Sequence, residues 1–191
     1  MKMKLNPELK KIIKHQQSKL FESYSKILMV RTDFHWSAGT DRYKYGDEHQ
    51  FSFELSMVML RISEDPSVIG YCWALEEGLD RGLHAHAILY VNGQQHRKKW
   101  PFYIEQERLW DEVTQGEGHV HRCIDNRGYR YSIRYPIHHS DTRGQKAMRY
   151  VANYLAKDEQ KPFGLVYESL AYRNLIIRFP VVPVLVIDKS A

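Results

Sequence analysis

His84 and His86 have the residue type and spacing to hold a metal ion. They lie in Leu83-His84-Ala85-His86-Ala87-Ile88-Leu89-Tyr90-Val91, whose apolar run predicts a strand over 83–91. Side chains at i and i+2 of a strand share a face, so both imidazoles can approach one ion from a rigid platform. A divalent Mg or Mn on two imidazoles wants a further oxygen ligand. Glu76 and Glu77 stand just before Gly78-Leu79-Asp80-Arg81-Gly82, a turn that folds strand 68–75 back beside the histidines. Strand parity does not choose between the two glutamates, because the turn sets the register. A second pair, His119 and His121, is flanked by Gly116-Glu117-Gly118 and Arg122 and reads as loop-borne. The adjacent His138 and His139 would point apart on any strand.

The second chemical feature is Arg149-Tyr150-Val151-Ala152-Asn153-Tyr154-Leu155-Ala156-Lys157. Tyr150 and Tyr154 are i and i+4, and Lys157 lies three residues further on. Met148, Val151, Ala152 and Leu155 make the apolar stripe of a helix over 142–157, which sets the tyrosines and Lys157 on the opposite, polar face. Arg143, Lys146, Arg149 and Asn153 share or flank that face. A phenol, with its pKa near 10, is a poor nucleophile at neutral pH, and a nearby cation would stabilise its phenolate. Attack at phosphorus would give a covalent phosphotyrosine and a free 3′ hydroxyl, a reversible two-step path.

The elements that must position these groups follow from local pattern. Asn6 and Pro7 predict a helix start, continued by Leu9, Ile12, Ile13, Leu20 and Phe21. A strand is expected over 27–34, a polar turn over 39–46, and a helix over 47–64 that stops at Asp65-Pro66. After the 68–91 hairpin come a helix over 103–113 and two strands, 120–124 and 129–135, around Asp125-Asn126-Arg127-Gly128. An apolar strand over 181–187 ends the chain. Helices and antiparallel strands alternate, so the class is α+β with a central antiparallel sheet.

The 191 residues suit one domain spanning 1–191, with a core over about 27–157, an N-terminal helix and a C-terminal extension. With 43% hydrophobic and 27% charged residues the composition is that of a soluble globular chain, and the net charge of +5 permits a polyanionic partner. Cys72 and Cys123 form neither a metal motif nor a disulfide framework, which points to a reducing, intracellular setting. The chain start lacks the apolar run of a signal peptide, and 181–187 is too short to span a bilayer, so no membrane partner is expected.

At these residues the chain resembles the His-hydrophobic-His (HUH) endonucleases, which include rolling-circle replication initiators, relaxases and some transposases. His84-Ala85-His86 matches their metal motif in kind and in position, and Tyr150 to Lys157 is similar to the tandem-tyrosine motif of initiators from small single-stranded DNA phages. Trp73-Ala74-Leu75-Glu76 is similar to the replication proteins of filamentous phages and related prophages. The resemblance implies an HUH-endonuclease, RRM-like replication-protein fold and Mg or Mn as cofactor. It also implies Glu76 as third ligand, with Glu77 as the alternative, and Tyr154 as first attacker, with Tyr150 and Lys157 assisting. A site-specific nickase acting in the cytoplasm of a bacterial host is implied, with an origin, hairpinned or not, as single-stranded substrate. Ala85 is smaller than the residue often found there, which would loosen packing behind the site. No Gly-x-x-x-x-Gly-Lys-Ser/Thr motif is present, so a host helicase would be needed.

Basic residues cluster after His119. Arg122, Arg127, Arg130, Arg134, Arg143, Lys146, Arg149 and Lys157 follow, and Tyr129, Tyr131 and Tyr135 interleave with the arginines among them, as a groove that tracks phosphates and stacks bases requires. The cluster His96-Arg97-Lys98-Lys99-Trp100 reads as a solvated turn. The rival readings are a non-catalytic DNA-binding regulator on the same scaffold, a metal phosphoesterase in which water attacks, and a transposase or relaxase of identical chemistry.

Overall fold

The computed structural model describes residues 4–78, 81–124, 130–158, 167–171 and 175–179. Helix α1 (Pro7–Ser23) begins where Asn6 caps it, the Asn6 Oδ1 accepting from the amides of Glu8 and Leu9. Strand β1 (Lys26–Trp36) follows, then a short helix α2 (Asp41–Tyr45) and helix α3 (Glu48–Ile62). Strands β2 (Val68–Gly78) and β3 (Gly82–Asn92) form the expected hairpin. Helix α4 (Trp100–Thr114), strand β4 (Gly118–Arg122), the short strand β5 (Ile137–His138) and helix α5 (Thr142–Ala152) come next. A 3-10 turn (Asn153–Ala156) leads to strands β6 (Tyr167–Ala171) and β7 (Leu175–Phe179).

The strands make one antiparallel sheet in the order β4-β1-β3-β2-β6-β7, with β5 pairing the start of β1. The class is therefore α+β, as expected. Helices α3 and α4 pack one face of the sheet over Leu28, Val30, Phe34, Trp36, Trp73 and Leu89. Helices α1 and α5 pack the other face over Ile27, Met29, Cys72, Ile88 and Tyr90. Both faces being covered explains why β1, β2 and β3 are buried at nearly every position rather than at alternate ones.

Several local expectations change. Segment 39–46 contains helix α2, which Thr40 caps by accepting from the Tyr43 amide. From α2, Arg42 reaches Glu54 at 2.9 Å and Glu117 at 3.0 Å, tying the segment to α3 and to the start of β4. No strand forms over residues 130–135: Ile133 is buried, its carbonyl accepts from the Lys99 ammonium, and Pro136 has no amide to donate to a ladder. Lys99 is thus a tie rather than part of a solvated turn. Helix α5 stops at Ala152 instead of reaching Lys157, because the chain near the N-terminus claims the end of the segment. The Asn6 amide donates to the Ala156 carbonyl, and Leu5 bridges Lys157. The sheet also extends past the expected core, since β6 pairs β2 and α1 delivers Leu9, Ile13 and Leu20 to the interior. The expectations at Leu79, Asp80, Tyr129, 125–128 and 181–187 lie outside the described residues.

Strand β4 is seated on α4 through Gly118, where a Cβ would meet Trp110 Nε1 and, at 2.6 Å, Thr114 Oγ1. Both neighbours are buried, and Trp110 Nε1 already donates to the His35 carbonyl at 2.9 Å. Gly118→Ala is expected to destabilise the protein by about 1–3 kcal/mol, lowering the Tm by several degrees in thermal unfolding. An unchanged Tm would contradict this seating.

Candidate metal centre

The site is built by register. In the β2–β3 ladder Glu76 faces His84 and Ala74 faces His86. In the β1–β3 ladder Asp33 faces His86 and His35 faces His84. Directly opposed residues share a face, so Glu76, His84, His86, Asp33 and His35 all project from the side that α1 and α5 cover. Glu77 points the other way and is exposed. Gly82 opens β3 with φ of 63°, a left-handed conformation suited to glycine, and its carbonyl lies 3.0 Å from His84 Nδ1.

Glu76 is 1% exposed and both histidines are buried. Glu76 Oε2 lies 3.4 Å from His86 Nε2 and 4.0 Å from His84 Nε2. Ligand atoms of Glu76, His84 and His86 all fall within 4.8 Å of one another, so this group could hold a metal ion. The outer nitrogens are already committed. His84 Nδ1 donates to the Gly82 carbonyl, and His86 Nδ1 meets Asp33 Oδ1 at 2.6 Å. Such bonds set the tautomer that turns an Nε2 lone pair towards an ion. The donor set of two imidazoles and a carboxylate suits a first-row divalent cation.

The electrostatics agree with the geometry. Burial opposes charge on His86, but Asp33 and Glu76 outweigh it and raise the His86 pKa. Asp33 is itself buried, yet its contact with His86 pulls its carboxyl down to about 2. Burial pushes His84 down, and burial with His119 and His84 pushes His35 down to about 3. Ala85 projects to the opposite face, fully buried between its ladder partners Phe34 and Leu75, which are buried too. The small residue therefore leaves large neighbours in place behind the site.

Tyr154, which the sequence places on a solvated helix face, is half-buried with its ring edge-on to His86 at 4.9 Å between centroids. Burial raises its pKa, and Glu76 and Asp33 raise it further, while Arg31 and Arg81 oppose them. Lys157 is buried rather than surface-borne, its Nζ over the Tyr154 ring at 5.7 Å from the centroid. Tyr150 is 48% exposed and packs on Tyr131 at 4.8 Å, with the Arg130 guanidinium over its ring at 5.3 Å. The two tyrosines thus occupy different surroundings, because the chain leaves the α-helix between them. Arg134, Arg143 and Lys146 are exposed, whereas Arg149 and Asn153 are only partly so and each keeps a buried polar atom without a hydrogen-bond partner.

His119 and His121 are strand-borne, not loop-borne: β4 pairs His119 with His35 and His121 with Asp33. Asp33, His35, Arg31 and Arg81 were missed in the sequence. The alternation Arg31-Thr32-Asp33-Phe34-His35 on a strand was the available signal for three of them. No protein-family model, curated protein or solved structure matches the chain.

In calorimetry with Mn, Glu76→Gln and His84→Ala should each lose most of the affinity, while Glu77→Gln and His119→Ala should bind as the parent does. Asp33→Asn should cost about 10–100-fold through misoriented His86. Undiminished affinity in His84→Ala would instead direct attention to His119 and His121.

Proposed function

We propose that this protein nicks and rejoins single-stranded DNA through a covalent 5′-phosphotyrosine, as an HUH-type rolling-circle replication initiator. The observation that carries the reading is the Tyr154 ring against His86, at the edge of a buried Glu76–His84–His86 cluster. Nearly seventy residues separate these groups along the chain, and folding brings a potential nucleophile to a potential metal centre. The fold proposed is the RRM-like sheet of that superfamily.

Tyr154 Oη attacks the scissile phosphorus as the P–O3′ bond breaks. The phenol gives up its proton as the new P–O bond forms, and the departing oxygen takes one up to become the free 3′ hydroxyl. Reversal by an incoming 3′ hydroxyl rejoins the strand. Glu76, His84 and His86 would hold Mg or Mn, and the cation would supply charge to neutralise the phosphate and the phenolate. Imidazole donors favour Mn of the two. Asp33 orients His86, and the charges of Arg31 and Arg81 favour ionisation of Tyr154. Arg130, Arg134, Arg143 and Lys146 supply cations for the strand, with Arg149 and Asn153 beside them. Strand opening falls to a host helicase or to a substrate already single-stranded, in the bacterial cytoplasm. Among the described residues no helix is long and apolar enough to cross a membrane.

Incubation with labelled single-stranded DNA from the protein's own replicon and Mn, followed by a denaturing gel, should give a labelled band at the protein's mass. Chelator should remove the band. The Tyr150→Phe/Tyr154→Phe double variant should lose it while still binding DNA. Cleavage retained in that variant would sink the tyrosine mechanism. Free nicked product without a band would assign a water-attacking hydrolase, and binding without cleavage a regulator.

A further inference from the structure

Three imidazoles stand in register across β3, β1 and β4: His84 opposite His35, and His35 opposite His119. The His84 and His35 rings stack at 5.4 Å between centroids and the His35 and His119 rings at 4.8 Å, each pair within 7° of parallel. The ladder follows from sheet geometry, since neighbouring strands run about 4.7–4.9 Å apart, near the spacing at which flat rings stack. Stacked imidazoles do not converge on one ion, because their lone pairs lie in parallel ring planes. Among the described residues the one group suited to a metal remains Glu76, His84 and His86.

What the ladder does present is an open end. Strand β4 is the last in the sheet order, so no described strand covers the outer face of His119, and the residue is exposed. Beside it opens a cleft of about 500 Å³ whose lining includes Asp33, His35, Tyr43, Arg81, His119 and His121. That volume falls within the roughly 300–1,000 Å³ of small-ligand sites. Rings that can stack on a base and one arginine that can meet a phosphate are the pairing single-stranded nucleic acid requires. Asp33 also lines the cleft and bonds His86, whose ring meets Tyr154, so the cleft adjoins the nucleophile.

We propose that this cleft holds one unpaired DNA base beside the cleavage point, stacked on His119 as the next ring of the ladder, with Arg81 on its phosphate. The inference rests on single-stranded DNA being the substrate. It separates two tasks on one sheet face: Glu76, His84 and His86 address the scissile phosphate, and His119 addresses a neighbouring base.

The test uses the Tyr150→Phe/Tyr154→Phe protein, which lacks both tyrosine nucleophiles, and fluorescence anisotropy with a short labelled single-stranded oligonucleotide. His119→Ala in that background should weaken binding about 5- to 100-fold, whereas His119→Phe, which keeps a stacking ring, should restore it. Arg81→Ala should weaken binding and lower the slope of log affinity against log salt by about 0.7. Mn affinity should stay at the parent value in all three variants. Parent-like binding by His119→Ala, equal loss in His119→Phe, or a fall in Mn affinity would each overturn the base site. If this pattern holds but no wild-type adduct ever forms, the base site stands and the nickase fails. If an adduct forms and His119→Ala keeps full DNA affinity, the nickase stands and the base site fails. A parent that binds no oligonucleotide sinks both.

Discussion

The pairing of Glu76 with His84 across the β2–β3 hairpin is the constraint on which the rest of the site depends. A slip of one residue would send Glu76 to the opposite face, into the packing of Trp73, Leu75 and Trp110, and would bring Glu77 to the histidines. That opposite face is dense with large side chains, which makes the slip costly. The apolar layer under α3 and α4 therefore fixes the polar cluster on the other side of the same strands. Rigidity of this kind matters at a metal centre, whose ligands must stay within a few tenths of an ångström of their places.

Burying two carboxylates and two imidazoles costs solvation that hydrophobic packing does not return. The protein offsets it by pairing. Asp33 takes His86, the Gly82 carbonyl takes His84, and Glu76 sits between the two inner nitrogens. The resulting surroundings are electronegative, which attracts a divalent cation. The same field disfavours a phenolate on Tyr154 until a cation offsets it. A cation held by Glu76 and the histidines would thereby ease ionisation of Tyr154, with Arg31 and Arg81 as the permanent counterweights.

The position of Tyr154 depends on a contact far away in sequence. Leu5 and Asn6 bind the backbone of Lys157 and Ala156 before α5 can continue, so the chain tightens into a 3-10 turn at Asn153. A 3-10 turn advances about 120° per residue against 100° in an α-helix, so Tyr154 no longer falls directly above Tyr150. Tyr150 is left with Tyr131 and Arg130 near the surface, while Tyr154 meets His86. Two residues that look equivalent in a helical repeat have become different chemically.

The sequence by itself determined what short-range pattern can carry. The α1 start at Asn6-Pro7, the end of α3 shortly before Asp65-Pro66, the 68–91 hairpin and the shared face of His84 and His86 follow from capping, proline geometry and strand periodicity, which act within a few residues. The buried stripe of Met148, Ala152 and Leu155 was legible for the same reason. Only the tertiary structure decided between Glu76 and Glu77, because hairpin register is a property of two strands. It alone brought Asp33 and His35 to the histidines, placed His119 and His121 on a strand, and ended α5 early. Those outcomes hinge on β1 pairing β3 and β4, and on residues 5 and 6 reaching 156 and 157, contacts between distant segments whose register no local pattern encodes.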